Sequence, residues 1–110
     1  RSAKDMRSQT KKHLSVHQGR ARFAQVTVAV LSEEKERVLE PELFLNDRRI
    51  EHPSEEDQAL VASAVAAVKE EEARLGILMC VTKVDSSYVD AHPEAARLAA
   101  LSAVAALAVE

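Results

Sequence analysis

Three small groups of residues in this chain have the types and spacing that chemistry requires. His13 and His17 stand four apart and would share one face, and one metal, if residues 10–18 were helical. Asp85, Asp90 and His92 would make a carboxylate–histidine cluster, with Ser86 or Ser87 as a nucleophile and Lys83 as its base. Cys80 is the single cysteine. Each group also has a plainer reading. The two histidines have no acidic or cysteine neighbour in sequence and read as exposed members of a basic segment. Asp and Ser between a strand and a helix ordinarily build turns and cap amides. Cys80 sits in an apolar run and reads as a small core residue. With Gly19 and Gly76 the only glycines, no phosphate-cradling loop can be built. No catalytic residue, metal or cofactor is therefore expected, and Tyr88 suits either a loop anchor or a contact that stacks on a base.

The elements that would position these residues follow from periodicity. Residues 1–13 have weak periodicity and read as a frayed helix or a lead-in. From Ala21 to Leu31, apolar Ala24, Val26, Val28 and Val30 alternate with Phe23, Gln25, Thr27 and Ala29, as in a strand with one aliphatic face. A polar turn over 32–35 leads to a second strand over 37–45, weakened in its middle by Pro41. Asn46-Asp47 forms a two-residue hairpin turn into a short strand over 48–51. Ser54 with Asp57 has the form of a capping box, opening a helix whose Val61, Val65, Val68 and Leu75 share a face and which Gly76 ends. Ile77 to Val84 is nearly continuous apolar sequence, as in a central strand. A final alanine-rich helix starts near Pro93 and is apolar almost all round, so it needs cover from the sheet on one side and from a helix or a partner chain on the other. The expected fold is α+β: a two-layer β-β-(β)-α-β-α sandwich with a mostly antiparallel sheet and two helices on one face.

Composition sets the outer limits. At 110 residues, with Phe23, Phe44 and Tyr88 its only aromatics, the chain makes one domain with a thin aliphatic core. The longest apolar run, Leu98 to Val109 broken by Ser102, is too short to span a bilayer, so no membrane partner is expected. One cysteine suits a reducing compartment, and a cytoplasmic location is expected. Residues 1–22 carry seven Lys/Arg against Asp5 alone, whereas the other 88 residues carry eight Lys/Arg against seventeen Asp/Glu. The chain so divides into a basic arm at 1–18 and a domain at 19–110. A basic arm on an acidic body points either to a polyanion partner or to a merely solvated segment. The opening Arg1 is what a fragment or processed form would show.

Two stretches carry a resemblance to a known family. Gly19-Arg20-Ala21-Arg22-Phe23-Ala24-Gln25-Val26 resembles the motif that opens domain IV of elongation factor G and its relatives, a Gly-Arg-Gly-Gln-Tyr-Gly/Ala-His-Val sequence entering the first strand. Gly76-Ile77-Leu78, Asp85-Ser86-Ser87-Tyr88, Val89-Asp90 and the alanine-rich run from Glu94 are similar to that family's Gly-Ile/Val-Leu turn, Asp-Gly-Ser-Tyr loop, Val-Asp step and last helix. The resemblance covers about residues 14–110. It departs at the tyrosine, where two residues before Val-Asp are missing, and at the family's glycine-rich second tip loop, here the acidic His52-Pro53-Ser54-Glu55-Glu56-Asp57.

The resemblance implies a fold shared with the second domain of a small-subunit ribosomal protein. It also implies a non-catalytic, translation-factor-type domain whose partner is the ribosome or ribosomal RNA. The expected contacts are Ser86, Ser87, Tyr88, Asp90 and His92 in the 85–92 loop, with Lys11, Lys12, Arg20 and Arg22 from the basic arm. The alternative is a protein-interaction or oligomerisation module that keeps the fold without the ribosomal role, using the apolar last helix to meet a second copy or a protein partner.

Overall fold

The computed structural model describes residues 7–109. Strands β1 (Ser8–His17), β2 (Arg20–Val30), β3 (Glu42–Leu45) and β4 (Arg48–Arg49) precede helix α1 (Glu55–Leu75), strand β5 (Met79–Ser86) and helix α2 (Pro93–Ala108). The strands form one sheet in the order β1-β2-β5-β3-β4, antiparallel throughout except for the β3–β5 pair. That parallel pair is joined by the crossover containing α1, as its geometry requires. The α+β sandwich expected from the periodicity is the fold observed.

Short-range chemistry sets the element ends. Asn46 and Asp47 both have positive φ, 52° and 64°, and close the β3–β4 hairpin. Ser54 accepts from the Asp57 amide while the Asp57 carboxylate accepts from the Ser54 amide, the reciprocal box that starts α1. Gly76 ends α1 in the left-handed region at φ 68°, its N–H donating to Glu72 O. Helix α2 begins at Pro93, where a missing N–H costs nothing.

The core lies between one sheet face and both helices. Ala24, Val26 and Val28 of β2, with Met79, Val81 and Val84 of β5, meet Leu60, Ala64, Ala67 and Val68 of α1 and the alanine face of α2. Small side chains let α2 lie close to both the sheet and α1. Its cover is thus the sheet on one side and a helix on the other, with Ala95, Ala96, Ala99, Ala100 and Ala103 fully buried.

Several sequence expectations are corrected. Ser8–His17 is neither a frayed helix nor a lead-in; it is a ten-residue edge strand paired with β2 from Ser8↔Ala29 to His17↔Arg20. A turn at Gln18-Gly19, both with positive φ, joins the two, so the proposed arm boundary falls within a hairpin. The rest of the arm, residues 1–6, lies outside the described residues. The second strand spans only 42–45, because Glu34–Glu36 form a 3-10 turn and Arg37 turns away to bond Glu72 and Met79 O. The third spans 48–49 rather than 48–51. The buried stripe of α1 is Leu60, Ala64, Ala67 and Val68, with Val61, Val65 and Leu75 on its flanks. Strand β5 is set two residues later than expected. A bulge opposite Thr27/Val28 leaves Thr82 unpaired and brings both Val81 and Val84 onto the core face.

Candidate functional site

The sheet end bearing the Gln18-Gly19 turn also carries the 86–92 loop and the β3–β4 hairpin. Main-chain and side-chain hydrogen bonds lock these together. The buried Ser86 hydroxyl donates to Phe23 O at 2.6 Å, and Phe23 N–H donates to Asp90 O at 2.9 Å. Asn46 N–H donates to Ser86 O at 3.0 Å, and Asn46 Oδ1 in turn accepts from Tyr88 N–H at 3.1 Å. Within the loop, Ser87 Oγ accepts from Asp90 N–H and Ser87 O from Ala91 N–H. The loop is therefore tied to β2 on one side and to the hairpin on the other. Yet Tyr88 is 60% exposed and Val89 81% exposed at its apex. A cleft of about 280 Å³ lies behind the tyrosine, between the loop and the first turn of α1, with Leu45, Glu56, Leu60 and His92 among its lining.

Seven of the nine expected contact residues meet here, in different capacities. Tyr88 and Arg20 face solvent. Arg22 is half-buried beside the start of α2. The Arg97 guanidinium bonded to Glu94, with smaller contributions from His92 and Arg22, holds the Glu94 carboxyl below the usual carboxylate range. The Ser86 hydroxyl is spent on Phe23 O of β2, the Ser87 hydroxyl accepts from Asp90 N–H within the loop, and Asp90 is tied in by its main-chain N–H and C=O. His92 is the N-cap of α2, its Nδ1 accepting from Glu94 N–H at 3.0 Å.

Lys11 and Lys12 do not join them. They lie five and six residues back along β1 from its last residue, roughly 16–20 Å at 3.3 Å per residue, and as neighbours in a strand they point to opposite sheet faces. His13 and His17 are likewise spread along the strand rather than stacked on one helical turn, and among the described residues no group of three or more His, Cys, Asp and Glu could hold a metal. Asp85 is separate from Asp90 and His92. It lies on the sheet face away from the helices, where Lys83 Nζ is 3.8 Å from Oδ2 and 4.6 Å above the Phe44 ring. Burial pushes the Asp85 carboxyl up, against the opposing pull of Lys83, and the charges of Asp47 and Glu42 push the same way.

Asn46 was legible only as a turn residue; its second role, holding Tyr88, depends on a partner 42 positions away. Arg48, exposed directly after that turn, adds a third arginine to this end of the sheet. Among the described residues no helix is long and apolar enough to cross a membrane. No protein-family model matches the chain, and no curated protein matches it.

Proposed function

We propose that this is a non-catalytic, translation-factor-type domain, similar to domain IV of elongation factor G, that contacts the ribosome or RNA with its 86–92 tip. The observation that carries this reading is a tip loop bonded to β2 and to the β3–β4 hairpin while its tyrosine stays outside. A loop so fixed presents Tyr88 with little ordering left to lose on binding. An exposed aromatic ring stacks on any unpaired base, a contact worth about 1–3 kcal/mol. Arg20, Arg22 and Arg48 supply charge around it, whereas Asp47 and the acidic first turn of α1 oppose close approach of phosphates. Stacking therefore outweighs phosphate neutralisation at this tip. The site of action is the cytoplasm, where ribosomes are found and a lone buried thiol stays reduced.

The alternative, an oligomerisation module acting through α2, has less to recommend it now that the sheet and α1 cover that helix. Binding of a fluorescent single-stranded RNA by anisotropy tests the proposal. Tyr88→Ala is expected to weaken binding about tenfold, the size of one lost stacking contact, and Arg20→Glu to weaken it further. Lys11→Glu/Lys12→Glu should have the smaller effect, since those residues lie away from the tip. Equal affinity of wild type and Tyr88→Ala would remove the tip from the interface.

A further inference from the structure

A second surface is built into the opposite property of the sheet, its open edge. Strand β1 ends the sheet, and among the described residues no strand pairs its outer side. Its ten residues exceed the usual strand length of about 5–6. Val30 N–H donates to Arg7 O at 2.9 Å, which fixes the odd-numbered residues of the strand as those bonded to β2. The N–H and C=O groups of Ser8, Thr10, Lys12, Leu14 and Val16 consequently point outward. The 2.8 Å contact between the Thr10 and Thr27 hydroxyls agrees, since side chains approach closest at the pairs that do not exchange main-chain bonds. The same five side chains lie on the sheet face away from the helices, where Leu14 is 64% and Val16 72% exposed.

Natural edges are blunted by proline, bulges, brevity or charge. This one has no proline and no register break, and its formal charges, Lys11 and Lys12, are of one sign with no acid between Ser8 and His17. Pairing with a second copy about a two-fold axis at Lys12 would set Lys12 against Lys12, which like-charge repulsion disfavours. An acidic strand has the opposite relation. Because Lys11 and Lys12 point to opposite faces, carboxylates on either side of an added strand find a cation. RNA lying on one face would meet only one of the two.

We propose that the outer edge of β1 takes an extended, acidic segment of a partner protein as a sixth strand, with carboxylates flanking Lys11 and Lys12 and apolar side chains beside Leu14 and Val16. The test uses the whole domain and a fluorescein-labelled Glu/Val decapeptide, alternating except for three consecutive central glutamates that put carboxylates on both faces, with its Lys/Val counterpart and a decauridine RNA as comparisons. The Glu/Val peptide is expected to bind at least tenfold more tightly than the Lys/Val peptide, and decauridine, which the tip would take, is expected to leave the β1 edge amides unprotected. At saturation, hydrogen exchange of the Thr10, Lys12, Leu14 and Val16 amides should slow at least tenfold, with little change at the odd-numbered positions. Leu14→Pro removes an outward N–H without breaking a β1–β2 bond, so it should abolish binding while the circular dichroism spectrum is retained. Should that variant unfold, Lys12→Glu and the exchange pattern decide, Lys12→Glu being expected to cost at least tenfold. Unchanged even-numbered amides with the Glu/Val peptide, decauridine protecting those amides as strongly as the peptide does, or a wild-type dimer that Lys12→Glu dissociates would each overturn the proposal.

Discussion

Ser86→Ala is the perturbation that most sharply probes how the tip is held. Ser86 is 6% exposed, and its hydroxyl reaches Phe23 O at 2.6 Å across 63 positions of sequence. Removing the hydroxyl deletes one hydrogen bond, a net loss of about 0.5–1.5 kcal/mol, and leaves a carbonyl without its donor, which costs about 1–3 kcal/mol when the carbonyl is fully buried. Phe23 is only partly buried, so the sum falls near the lower end, about 1.5 kcal/mol. For a domain of this size that lowers Tm by about 6–12 °C. Urea unfolding gives the free energy, and amide exchange gives its location. The Phe23 N–H, bonded to Asp90 O, and the Asn46 N–H, bonded to Ser86 O, should exchange faster, while the Gly76 N–H at the far end of α1 should change only as much as global stability does. A loss below about 0.3 kcal/mol, far under one buried hydrogen bond, with unchanged exchange at Phe23 and Asn46, would refute the view that Ser86 clamps the loop to β2.

Other consequences follow from the same geometry. Arg37 bonds Glu34, Glu72 and Met79 O, so Arg37→Met should cost about 2–4 kcal/mol by leaving the half-buried Glu72 carboxylate without its cation and with only the Met79 N–H as donor; a double-mutant cycle with Glu72→Gln should show coupling above about 1 kcal/mol, and strict additivity would contradict it. The folded Asp85 carboxyl holds its proton to higher pH than the unfolded one, so this group favours folding below its unfolded pKa and that contribution is lost as pH rises through its folded value. Asp85→Asn should therefore gain stability relative to wild type as pH rises from 4 toward neutrality, and a parallel pair of urea-derived stability curves would count against the assignment. Gly76 has φ 68°, and a Cβ there would meet nothing within 4 Å, so Gly76→Ala should cost about 1 kcal/mol through backbone conformation alone and Gly76→Asn less; a neutral Gly76→Ala in thermal unfolding would show that the left-handed turn is not required.

What could be read in advance was local. The Asn46-Asp47 turn, the Ser54/Asp57 box, Gly76 and Pro93 act within a few residues, and all four lie where their chemistry placed them. Strand β1 was hidden because an edge strand solvated on most of its surface shows no apolar alternation; only pairing with β2 defines it. The bulge at Thr82 was hidden because a continuous apolar run has no phase to interrupt. The candidate site divides in the same way. Its loop stood out as polar sequence between an apolar strand and an apolar helix. The buried state of Ser86, the capping role of His92 and the hold of Asn46 on Tyr88 arise from neighbours or packing that sequence spacing alone does not rank. The separation of Lys11 and Lys12 from the tip follows directly from the misread strand.

The central claim is that the tip, led by Tyr88, meets RNA on the ribosome. Co-sedimentation of the domain with ribosomes across a salt series measures it most directly. Three arginines at the tip predict a shallow log–log salt slope, about −2 from roughly 0.7 per phosphate on a single strand. Tyr88→Ala should weaken binding about tenfold, one stacking contact, without changing that slope. Absence of co-sedimentation at low salt, or binding that Tyr88→Ala leaves intact, would contradict the account.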